Sequence, residues 1–196
     1  RQLLGDGRIG RTLSARVHAG SYLPGWRPGQ DFRESYSSSP TEGGAVLDCI
    51  HELDLAQWYL GPAEFAGAVV QKATSLGLEC AGLAELLLRH ESGAVSSVHL
   101  DFVGRDYRRS CTVIGDQGTL DWDYLRGSVR VFGADGDLEE TTNQPSDWDP
   151  NEMYVDQMKD FFSAVADRGQ SPNPVRSGAD VLRLALCVME QMEGYA

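Results

Sequence analysis

A chain of 196 residues, 41% hydrophobic and 23% charged, carries enough apolar material for one sizeable core, at roughly 150 residues per domain. Its formal net charge of -12 argues against nucleic acid, whose phosphates call for a basic surface, and against a polybasic membrane contact. No apolar run approaches the roughly 20 residues of a membrane span, and nothing at the N-terminus reads as a signal peptide.

The chain starts without Met, at Arg1-Gln2-Leu3-Leu4-Gly5, as if cut from something longer. From Ile9 to Ala19 apolar and polar residues alternate, which predicts a half-buried strand. Leu23 to Pro40 is rich in Pro, Gly and Ser and reads as a long loop; loops of this length in a compact domain are often functional. Gly43-Gly44 then opens a predicted helix over 43–60, stopped by Gly61-Pro62. At about 100° per residue, Asp48 and His51 share one face of that helix, about 60° apart. Val46, Cys49, Ile50, Leu53, Ala56 and Leu60 form the opposite, core-facing stripe. Leu55 and Trp58 accompany the Asp/His face, so a carboxylate and an imidazole sit in apolar company, as proton transfer near neutral pH requires.

Strand-like segments follow at 66–73, 81–90, 94–103, 107–114, 119–124 and 128–132, joined by tight turns that imply antiparallel pairing. Residues 136–145 read as loop. Asp149-Pro150-Asn151-Glu152 then signals a helix start. Its apolar stripe is Tyr154, Met158, Phe161, Phe162 and Val165. A last helix, opened by Ser177-Gly178-Ala179-Asp180, is apolar nearly all round and expected to be buried.

This order predicts one α+β domain over residues 1–196: an open, mainly antiparallel sheet with helices packed on one face. Leu83 and Leu87 alternate with Leu86 and Leu88, so both faces of that strand are apolar, and a second copy is expected to cover the open face in a homo-oligomer. Cys49, Cys80, Cys111 and Cys187 are scattered and read as reduced thiols of a cytoplasmic protein. His90 and His99 fall on facing strands, but His99-x-Asp101 lacks the further ligands of a tetrahedral site, so no metal is expected.

Several segments together resemble the C-terminal domain of the Gfo/Idh/MocA oxidoreductases, the family of glucose–fructose oxidoreductase and inositol dehydrogenase. They are Gly5-Asp6-Gly7-Arg8-Ile9-Gly10, Trp26-Arg27, the GG-x-x-x-D-x-x-H segment ending at His51, Ile114 to Leu120, and the Tyr154 to Phe161 helix. The resemblance implies a fold like the C-terminal domain of glyceraldehyde-3-phosphate dehydrogenase. It also implies an N-terminal Rossmann domain that binds NAD or NADP and carries a catalytic lysine. These 196 residues hold no Glu-Lys-Pro tripeptide, and the one G-x-G-x-x-G match precedes a strand instead of following one. The chain therefore reads as the substrate-binding and assembly half of a two-domain enzyme, expected to bind no dinucleotide and to be inactive alone.

If the resemblance holds, hydride passes between a secondary alcohol carbon of a sugar, polyol or derivative and the nicotinamide. His51 would be the base, with Asp48 orienting its ring; the plain alternative is a helix histidine held by a local hydrogen bond. The commoner family spacing of aspartate and histidine is four positions, against three here. Trp26 and Arg27 match the loop that approaches nicotinamide and substrate, or serve as an ordinary anchor and a solvated charge. Arg33, Tyr36 and Tyr154 are further candidates for holding substrate hydroxyls, with core packing the competing role for Tyr154. Competing functions are a non-catalytic binding or dimerisation module and a glycosidase that uses NAD transiently.

Overall fold

The computed structural model describes residues 1–171 and 173–193. A short helix α1 (Gln2–Gly5) leads into β1 (Thr12–Gly20) and a long loop punctuated by single 3-10 turns. Two helices follow, α2 (Ala45–Asp48) and α3 (Ile50–Leu60). Then come β2 (Ala63–Lys72), β3 (Ala81–His90), β4 (Val95–Asp101), β5 (Arg108–Gly115), β6 (Thr119–Asp123), β7 (Ser128–Phe132) and β8 (Leu138–Asn143). The helices α4 (Asn151–Ala166) and α5 (Val175–Glu193) complete the described chain.

The strands form one open eight-stranded sheet, in the order β2-β3-β4-β1-β5-β6-β7-β8. All neighbours are antiparallel except β1 and β4, which run parallel. The expected α+β class, with a mainly antiparallel sheet, is what forms. The first strand in sequence lies at the centre of the sheet. Its inward residues Ala15, Val17 and Ala19 are small or β-branched and buried, and α3 packs over them. From β3, Leu86 and Leu88 face the same core, which α3 and α5 cover with Leu53, Ala56, Ala185 and Val188. The opposite face carries Glu85 and Leu87 in exposed positions, beside Val69.

Four expectations are corrected. The predicted helix 43–60 is two helices, because Cys49 leaves the helical region (φ -100°, ψ 23°) and ends α2 while starting α3. Residues 138–143, expected as loop, form the edge strand β8; its sequence LEETTN is polar because most of its side chains meet water. The last helix starts at Val175, and only one of its faces is buried: Val181, Leu184, Ala185 and Val188 point inward, while Leu182 and Leu186 are exposed. The stripe of α4 does not enter this core at all. Tyr154, Met158, Phe161, Phe162 and Val165 are 49–64% exposed.

Candidate active site

Two glycines fix the loop against the first helix. Gly43 N–H donates to the Ser39 carbonyl at 3.1 Å and Gly44 N–H to the Ser37 carbonyl at 2.9 Å. A Cβ on Gly43 would run into the carbonyls of Tyr36 and Ser37. Gly44 adopts φ +92°, a region that L side chains rarely adopt, and its Cβ would sit 3.0 Å from the Ala81 backbone. The Gly44 carbonyl in turn accepts from Asp48 N–H at 3.0 Å. Through this pair the Tyr36 turn of the loop is tied directly to the helix bearing Asp48.

Asp48 and His51 flank the break at Cys49, and no hydrogen bond joins their side chains among the described residues. Asp48 Oδ2 is buried without a partner among the described residues. His51 is half exposed, and its Nε2 lies 3.2 Å from Glu52 Oε1. Glu52 is wholly buried; its Oε1 also accepts from Arg109 Nε on β5 at 2.6 Å, while Oε2 has no partner among the described residues. The Arg109 guanidinium lies 5.6 Å from the ring centroids of both Trp122 and Tyr124. The imidazole thus sits beside a buried carboxylate–guanidinium pair. Two buried, unpartnered carboxylate oxygens in one short segment are what a polar ligand or ordered water would satisfy. Cys49, between these carboxylates, has its thiol pushed up to about 12 by burial first and then by Glu52 and Asp48, so it is no nucleophile here. Burial likewise pushes the Tyr59 hydroxyl up to about 12.

The loop makes its own hollow of about 480 Å³, lined among others by Trp26, Arg27, Gln30, Asp31, Glu34 and Tyr36. Trp26 is held by a 2.8 Å hydrogen bond from its Nε1 to Ser21 Oγ and by an edge contact with Phe102 at 4.9 Å. Arg27 donates to Ser35 Oγ at 2.7 Å and lies over the Tyr36 ring at 5.4 Å. An indole, a guanidinium and several carboxyl or amide groups around one hollow suit a small polyhydroxylated molecule, with apolar faces and hydroxyl edges. Arg33 is not among the lining residues. Its guanidinium stays 3.4 Å from Asp31 and over Phe32 at 4.5 Å. Tyr154 is on the exposed face of α4, beside a different apolar hollow with Met158 and Phe162. The sequence reading did not single out Glu52 or Arg109. Only the His51-Glu52 adjacency hinted at the first, and nothing local marks the second, 57 positions away.

The glycine-rich segment at Gly5 to Gly10 does not fit a dinucleotide diphosphate. Gly7 and Gly10 take positive φ to turn the chain into β1, and Asp116 occupies the space that a Gly10 side chain would fill. Asp116 Oδ1 already accepts from Arg11 N–H at 2.9 Å, and an anion would meet that carboxylate.

A sequence profile of the GFO/IDH/MocA C-terminal domain matches residues 1–121. The chain belongs to the GFO/IDH/MocA family. Its relatives include the 1,5-anhydro-D-fructose reductase of Ensifer adhaerens, 25% identical over 203 residues that cover 97% of this chain and 56% of that protein. Levoglucosan dehydrogenase in complex with NADH and levoglucosan has the same fold: TM-score 0.85 at 20% identity, over 100% of this chain and 60% of that one. An NAD binding oxidoreductase from Klebsiella pneumoniae gives TM-score 0.84 at 19% identity, with the same coverage of both chains. This GFO/IDH/MocA chain thus spans a little over half the length of the relatives it matches. No described helix is long and apolar enough to cross a membrane.

Proposed function

We propose that this chain is the substrate-binding half of an NAD(P)-dependent oxidoreductase acting on a secondary alcohol of a sugar, polyol or derivative. The observation that carries the reading is the half-exposed His51 held against buried Glu52, two residues beyond the break whose glycine-pair anchor also fixes the Tyr36 loop. Two relatives, a 1,5-anhydro-D-fructose reductase and a levoglucosan dehydrogenase, support the class of substrate.

A nicotinamide, held outside these residues, would exchange hydride with the alcohol carbon. An alcohol releases hydride only as its oxygen loses a proton, and His51 is the base we assign to that proton. Glu52, 3.2 Å from Nε2, faces the imidazolium that results, and Arg109 holds Glu52 in place. Asp48, with its free buried Oδ2, is assigned a substrate hydroxyl in place of the ring-orienting role expected from sequence. Trp26, Arg27 and Tyr36 hold the sugar from the loop side. Arg33 and Tyr154 keep lesser roles, the first steadying the loop through Asp31.

The partners follow from what is uncovered. The exposed stripe of α4 is the surface we assign to an N-terminal Rossmann domain, and Val69, Leu87 and Val95 on the outer sheet face to a second copy of the chain. Four free cysteines fit a reducing, cytoplasmic setting.

The test is to assay the complete gene product with NAD and NADP against anhydrosugars and cyclic polyols, following nicotinamide absorbance and product identity. Oxidation or reduction of a secondary alcohol supports the reading. Binding without turnover would favour an assembly module, and net hydrolysis a glycosidase.

A further inference from the structure

The outer sheet face carries a second cluster of titratable side chains. His18 of β1 and His99 of β4 are register partners on the parallel pair, with rings stacked at 4.4 Å. Asp101, two residues along β4, is 5% exposed and lies on the same face as His99. A ring nitrogen of each histidine and a carboxylate oxygen of Asp101 all lie within 4.8 Å of one another. We propose that His18, His99 and Asp101 form a binding site for a divalent transition cation, zinc being the best match.

Three features of the cluster support a built site. First, Asp101 is held rigidly for the task. Its Oδ1 accepts from the backbone N–H groups of Val103 and Gly104 at 2.8 and 2.5 Å, which leaves Oδ2 for the cluster. Second, His99 Nδ1 lies 2.5 Å from Glu85 Oε1. A carboxylate can only accept, so Nδ1 carries a hydrogen, and the other ring nitrogen, Nε2, faces Asp101 Oδ2 at 3.0 Å. A cation between Nε2 and Oδ2, a proton or a metal ion, satisfies both atoms, and a carboxylate behind a histidine is how metal-ligating rings are oriented. Third, the space is kept open. A side chain on Gly20 would run into Asp101 Oδ2 and come within 3.2 Å of His18 Nε2, two of the three ligand atoms. His18 itself makes no hydrogen bond among the described residues and is partly buried.

Bonds of about 2.0–2.2 Å in tetrahedral geometry put ligand atoms roughly 3.3–3.6 Å apart. The observed atoms, within 4.8 Å of one another, draw together by side-chain rotation to close on one ion, with water as fourth ligand. Two imidazoles and one carboxylate suit zinc better than magnesium or calcium, which prefer oxygen. The sequence reading missed this set because only the sheet pairing brings His18, 81 positions before His99 in the chain, alongside it.

The experiment is zinc titration of the chelator-treated complete protein against a chromophoric competitor, with cobalt substituted for its visible absorption. The expected result is one zinc per chain and a four-coordinate cobalt spectrum. His18→Ala, at a partly buried position of the outer sheet face without hydrogen bonds among the described residues, should leave the fold intact and weaken binding at least ~100-fold. Glu85→Gln, which removes the carboxylate behind His99, should weaken it about 10–100-fold. Zinc affinity unchanged in His18→Ala, or no binding below millimolar zinc, would overturn the proposal and leave His99 as a doubly protonated ring clamped between Glu85 and Asp101.

Discussion

Glu52 on α3 is fully buried, yet its carboxylate meets the Arg109 guanidinium from β5 at 2.6 Å, tying the site helix to the sheet beneath it. Breaking a buried pair by removing one partner leaves an uncompensated charge. Arg109→Met should therefore destabilise the protein by about 3 kcal/mol in urea unfolding. It should also lower turnover, since the support of His51 is lost. A change of less than about 0.5 kcal/mol would show the pair to be incidental.

Gly44 and Gly61 both hold positive φ but differ in surroundings. Gly44 is pressed against Ala81, whereas nothing lies within 4 Å of a Cβ on Gly61. Gly61→Ala should cost only the backbone strain, about 1 kcal/mol. Gly44→Ala adds a steric clash and should cost roughly 2–3 kcal/mol, with substrate affinity reduced because the Tyr36 turn is displaced. Thermal melts and substrate titrations of the two variants check the contrast.

His90 is buried between Gly61 and Ser96. Its Nδ1 donates to the Gly61 carbonyl at 2.8 Å, so in the neutral ring Nε2 accepts from Ser96 Oγ at 2.9 Å. Burial lowers its pKa from 6.5, partly offset by the Gly61 contact. A histidine kept neutral in the folded state gives its full stability above the unfolded value of 6.5 and loses it as the pH falls through the lower, folded value. Ring-proton NMR should show His90 titrating below an ordinary histidine. His90→Gln should flatten the stability loss on the acid side of 6.5.

Thiol chemistry gives a further check. Burial holds Cys49 and Cys111 at about 12, and Cys80 is also raised, whereas Cys187 is the one that is not fully buried. Under native conditions near neutral pH a thiol reagent should modify Cys187 first, as read by peptide mass spectrometry. Early labelling of Cys49 would contradict the packing of the break between α2 and α3.

Local pattern revealed most of the fold. The strands at 81–90 and 128–132 have the predicted bounds because their alternation is local and their turns carry glycine. What the pattern could not carry was pairing between distant segments. The placement of β1 between β4 and β5, and with it the meeting of His18 and His99, depends on long-range register. The strand β8 escaped because an exposed edge strand is polar. The break at Cys49 escaped because the apolar spacing of Val46, Leu53 and Ala56 runs through it unchanged. At the candidate site, the sequence placed Asp48 and His51 on one helix face, whereas the chain breaks between them at Cys49, and the Glu52–Arg109 contact was not legible at all. The α4 stripe was legible as apolar, but its periodicity could not say that these residues leave it exposed.

The most direct test of the assigned chemistry is the kcat of His51→Gln in the complete gene product, measured with a secondary alcohol of the proposed class. His51 as the proton acceptor predicts a kcat lower by ~10²–10⁴-fold with KM changed only a few-fold. A kcat within about three-fold of the parent would contradict it.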